Sequence, residues 1–113
     1  MARLTMILLA LLATGVAAAP KDRIWIGRVS DEICAASHKD MATATGMSGR
    51  DCALTCTRSG ARFVLVDKMG GVIPFVDQEL PDLQKLADQE VRVTGQREGD
   101  AILITKIERI RQP

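Results

Sequence analysis

The stretch Glu90-Val-Arg-Val-Thr-Gly-Gln-Arg-Glu-Gly-Asp-Ala-Ile-Leu-Ile-Thr-Lys-Ile-Glu-Arg-Ile110 decides the fold. Glu90 to Gly95 alternates polar and apolar residues with the period of two that a half-buried strand requires. Gln96 to Asp100 turns the chain, and Ala101 to Ile110 forms a long, β-branched final strand. Upstream, Leu80 to Leu86 fits a short helix, with Pro81 in its first turn and Leu80, Leu83 and Leu86 on one apolar face. Arg62-Phe-Val-Leu-Val-Asp67 and Val72-Ile-Pro-Phe-Val-Asp77 read as two strands joined by Lys68-Met-Gly-Gly71. Pro74 has no N–H for a ladder, which places the second of them at an edge or a bulge. Arg50 to Arg58 fits a helix between Ser48 as N-cap and Gly60 as C-cap. Arg23-Ile-Trp-Ile-Gly-Arg-Val-Ser30 reads as a strand buried on much of both faces, with Gly27 marking a bend or a close approach.

This order implies a mainly β chain. The expected architecture is a small five-stranded OB-like barrel, with a cysteine-containing helical insertion after strand 1 and a short helix between strands 3 and 4. An open α+β sheet with the same pairings is the alternative. The chain has 113 residues, enough for one domain with a modest core. Residues 1–18 read as a signal peptide: Arg3 is its basic start, Met6 to Leu12 its apolar centre, and Val16 to Ala19 its small-residue cleavage region. Residues 19–113 form the single OB-like domain, exported into a periplasmic or extracellular, oxidising space. The 15 Lys and Arg stand against 14 Asp and Glu, and loss of Arg3 balances them. The charges alternate in sign along the chain, which argues against nucleic acid and against anionic membrane surfaces as partners. Trp25, Phe63 and Phe75 are too few for a stacking surface and read as core. A protein or a small molecule remains the class of partner.

The mature chain resembles the DUF5818 type of small exported bacterial proteins. The resemblance rests on Trp25 and Gly27, Ser30-Asp31-Glu32-Ile33-Cys34, His38, Cys52-Ala-Leu-Thr-Cys56, Gly60, Val64-Leu-Val-Asp67 and Val91-Arg-Val-Thr-Gly95. It spans nearly the whole mature chain, and it implies no particular activity.

All three cysteines and the single histidine lie between Cys34 and Cys56. Cys34 and His38 stand four residues apart, as do Cys52 and Cys56. One reading is a structural disulfide from Cys34 to Cys52 or Cys56, worth roughly 3 kcal/mol in the chain-entropy model. It leaves an odd thiol. A Cys52–Cys56 bridge is disfavoured, because a helix spaces their Cβ atoms by about 5–6 Å. The other reading is a metal site of Cys34, His38, Cys52 and Cys56, a Cys₃His set suited to zinc, with Met41 and Met47 nearby for a copper(I) variant. Cys-x-x-Cys is missing, so thioredoxin-like chemistry is not indicated. A helix N-terminus could activate Cys52 with His38 as base, but no third group completes a catalytic set. Asp31, Asp51, Asp67, Asp77 and Asp82 lack calcium-loop spacing and read as strand-end and cap residues. The expected function is therefore a non-enzymatic binding or structural module, with a periplasmic metal-binding protein as the alternative.

Overall fold

The computed structural model describes residues 21–35 and 46–111. The expected signal peptide, His38 and Met41 lie outside the described residues. The elements are β1 (Arg23–Asp31), α1 (Gly49–Arg58), β2 (Phe63–Asp67), β3 (Val72–Pro74), α2 (Pro81–Lys85), β4 (Glu90–Glu98) and β5 (Ala101–Arg109). The protein is mainly β. Its five strands form one antiparallel sheet in the order β3-β2-β1-β4-β5.

β1 is central and changes partner along its length. Arg23 to Arg28 pair with β4, whereas Gly27 to Asp31 pair with β2. The changeover falls at Gly27, where a Cβ would strike the Val66 carbonyl and Leu65. Only glycine lets the two backbones approach this closely. The β4–β5 hairpin is longer than its alternation suggested. β4 continues to Glu98, so only Gly99 and Asp100 turn the chain, with Gly99 at a positive φ. A register shift at Thr94/Gly95 absorbs one residue there and bends the strand.

Closure differs from the expected barrel. Among the described residues, β3 and β5 meet at one isolated parallel bridge, Phe75 to Ile102, with Val76 N–H donating to the Ile102 carbonyl at 2.9 Å. The sheet is thus open except at that point. The reason lies in β3, which stops at Pro74 after three residues. Gln78 takes over where the strand ends. Its Oε1 accepts from Phe63 N–H at 2.6 Å, and its Nε2 donates to the carbonyls of Phe63 and Phe75 at 3.0 and 2.8 Å. A side-chain amide thereby stands in for ladder rungs and leaves no run of backbone to extend along β5.

The inward residues Val29, Phe63, Leu65, Phe75, Val91, Val93 and Ile102 form the core, with Leu83 of α2 and Ala53 of α1. Each buried aliphatic side chain contributes about 1.5–3 kcal/mol. Trp25 packs against this core but is only half-buried, and the Arg23 guanidinium lies over its ring at 5.2 Å. α1 packs on β1 and begins as its sequence suggests: the Ser48 hydroxyl accepts from Asp51 N–H at 3.1 Å. Ser48→Ala is expected to lower stability by about 1 kcal/mol, read from the urea midpoint. An unchanged midpoint would mean that packing alone fixes the start of α1.

Candidate metal centre

The inward parity that buries Gly27 and Val29 also buries Asp31, the last residue of β1. Asp31 is 0% exposed. Its Oδ1 accepts from the backbone N–H groups of Ile33 and Cys34, both at 2.9 Å. This Asx-type turn folds the chain back on itself and carries Cys34 inward. Ala35 N–H closes the turn on the Asp31 carbonyl at 2.9 Å. Outside it, Glu32 pairs with Arg62 at 2.9 Å and accepts from Arg62 N–H at 3.1 Å. Those contacts hold the Glu32 carboxyl below its ordinary pKa.

α1 supplies the other side. Residues four apart on a helix share a face, so Cys52 and Cys56 point the same way. Cys34 and Cys52 are each 1% exposed, whereas Cys56 is half-buried. The three are free thiols. Cys34 Sγ lies 2.6 Å from Cys52 Sγ and 3.3 Å from Cys56 Sγ. One ligand atom from each of Asp31, Cys34, Cys52 and Cys56 falls within 4.8 Å of every other, a group that could hold a metal ion.

The second oxygen of Asp31 decides how the cluster is understood. Oδ2 is buried and has no hydrogen-bond partner among the described residues. A buried carboxylate oxygen without a partner is costly, and such a group calls for a specific explanation. A cation among the sulfurs provides one.

The Cys34 and Cys56 thiols are held toward their protonated forms. Burial, then hydrogen bonding to the Cys52 and Cys56 sulfurs, pushes the Cys34 thiol far above its ordinary value. Burial pushes Cys56 up as well. A thiol raised in the fold contributes stability that is fully present below the unfolded value and is lost as pH rises. The metal-free protein is therefore expected to lose urea resistance as pH climbs past about 9, the ordinary thiol value. Urea midpoints at about pH 7 and about pH 10 check this, and an equal or higher midpoint at the upper pH would contradict it.

The structure brings together Cys34, Cys52 and Cys56, while His38 lies outside the described residues. Reading the sequence missed Asp31, which it treated as a strand-end residue. The available signal was Ser30-Asp31-x-x-Cys34 at the end of a strand whose inward parity runs through Val29. A charged groove of about 580 Å³ lies elsewhere, its charged lining being Arg28, Asp88, Glu90, Arg109 and Arg111. Its charges are of both signs, with Arg28 on Asp88 at 3.2 Å, so it presents no field of a single sign. Among the described residues no helix is long and apolar enough to cross a membrane. Compared with known proteins, the chain matches no family model, no curated protein and no solved structure.

Proposed function

We propose that this chain is an exported, non-enzymatic OB-like module of the DUF5818 type, stapled by a zinc-class metal centre. The carrying observation is the convergence of Asp31, Cys34, Cys52 and Cys56 with the Asp31 Oδ2 left unpartnered. A tetrahedral zinc site with Zn–S bonds of about 2.3 Å has ligand edges of about 3.8 Å. Opening the sulfur cluster to that size needs only about an ångström of movement. Three thiolates and one carboxylate favour zinc over magnesium or calcium, which prefer oxygen ligands throughout. The centre would tie the end of β1 to α1, and its binding energy would become folding energy.

The OB-like reading is supported by the switch of partner along β1, by α2 lying between β3 and β4, and by the Phe75–Ile102 bridge. A structural role is supported by the burial of Cys34 and Cys52 and by the upward push on the Cys34 and Cys56 thiols, and no basic side chain among the described residues hydrogen-bonds the three sulfurs. The export reading rests on the leader-like N-terminus alone.

The test is metal analysis of protein purified without added reductant, together with a thiol count and a melt. The expected result is one zinc per chain, three thiols after denaturation with chelator, and a Tm lower by about 10 °C or more without metal. A second reading has one specific support, the 2.6 Å approach of Cys34 to Cys52. This separation lies between a covalent S–S bond, about 2.05 Å, and a zinc-site edge. Metal-free protein with one free thiol would favour this bridged staple over the metal centre.

A further inference from the structure

The three sulfurs are not equivalent, and their arrangement has a direction. Cys56 is partly open to solvent, whereas Cys34 and Cys52 are buried, and Cys34 lies 3.3 Å from Cys56 and 2.6 Å from Cys52. A structural zinc site needs no such gradient of access. A single disulfide needs no third sulfur at 3.3 Å.

We infer that Cys56 is a modification site at which a low-molecular-weight disulfide enters, and that oxidation passes from it through Cys34 to a Cys34–Cys52 bridge that expels the metal. The consequence for the metal rests on the proposed centre. The chemistry is thiol–disulfide exchange in three steps. The Cys56 thiolate attacks one sulfur of the small disulfide, a Cys56 mixed disulfide forms, and one small thiolate leaves. Cys34 then attacks the Cys56 sulfur as its proton passes to the departing small thiolate, a Cys34–Cys56 bond forms, and the second small molecule leaves as a thiol. The Cys52 thiolate attacks Cys34, the Cys34–Cys52 bond forms, and Cys56 departs as a thiolate. Overall, two protein thiols lose two electrons and two protons, and one small disulfide takes them up as two thiols. Two of the four donors are consumed. Asp31 and Cys56 remain, too few to hold zinc in a tetrahedral set. Metal and bridge are thus two states of the same sulfurs, and the odd cysteine is the entry point that is returned at the end.

The test loads the reduced full chain with zinc, adds oxidised glutathione, and follows zinc with a chromogenic chelator and thiols by intact mass. The expected result is one zinc released per two thiols lost, one thiol left free, and an early glutathione adduct confined to Cys56. In metal-free protein, Cys56→Ser is expected to slow closure of Cys34–Cys52 at least about tenfold. Zinc retained under excess disulfide, a first adduct on Cys34 or Cys52, or an unchanged closure rate in Cys56→Ser would each overturn the inference. Failure of the reduced protein to take up zinc would instead overturn the metal centre, while adduct mapping on the metal-free protein would still test Cys56 as the entry thiol.

Discussion

Asp31→Asn is expected to lower zinc affinity by at least about 100-fold while leaving the fold intact. The substitution separates the two jobs of one side chain. Asparagine keeps an Oδ1 that can accept from Ile33 and Cys34 N–H, so the turn that brings Cys34 inward survives. It replaces Oδ2, the oxygen with no partner among the described residues, by an amide NH₂ that offers no lone pair to a cation. In the metal-free protein one buried polar group replaces another at that position, so the burial cost changes little. The metal-free variant should then be about as stable as metal-free wild type. Wild type should gain stability with zinc and the variant should not. Chelator competition and paired melts read both effects. Wild-type zinc affinity in the variant would remove Asp31 from the centre. Asp31→Ala does not make this distinction, because it deletes the turn acceptor together with the ligand.

The second large effect lies far from the metal. Gly95→Ala is expected to cost about 3 kcal/mol or more, through a clash of backbone against side chain rather than a lost contact. A Cβ at Gly95 would run into the Leu103 carbonyl, at the point where the β4–β5 register shifts. The obstacle is backbone on a neighbouring strand, so no flexible side chain can move aside to make room. Relief would require opening the bulge, and with it the bend that carries β5 toward Phe75. Urea unfolding measures the loss. A change within about 0.5 kcal/mol would show that the bulge accommodates a side chain, and the bend would need another explanation.

Local signals in the sequence were informative wherever the deciding interactions were local. Clean alternation from Glu90 onward placed β4 and β5, and Ser48 marked the start of α1 within a residue, because strand parity and helix capping act over a few neighbours. The hairpin turn was drawn too wide because Gln96, Arg97 and Glu98 are polar. They nevertheless pair with β5, and polarity on an exposed hairpin end says little about backbone pairing. The closing edge was not legible. It depends on Gln78 reaching Phe63 across the sheet, a contact that no local pattern encodes. The cysteine cluster was half legible. Helical spacing paired Cys52 with Cys56, but the fourth donor was sought in His38. Asp31 becomes a candidate only once the end of β1 is seen to lie against α1.

The divided loyalty of β1 also bears on how the chain assembles. β2–β3 and β4–β5 are hairpins whose strands are near neighbours in sequence, and each can form on the microsecond scale of about 1–10 μs. Apart from the Phe75–Ile102 bridge, the two halves of the sheet are joined through β1, and its pairing with β4 joins Arg23 to Gly95 across most of the domain. Contacts of such long sequence separation are slow to form. The N-terminal strand is therefore expected to dock last, as the keystone between two preformed arms. Val29→Ala should then speed unfolding and leave the folding rate nearly unchanged, while Ile102→Ala should slow folding. A chain ordered in this way completes its core with β1, which ties the final folding step to the strand that also carries Asp31.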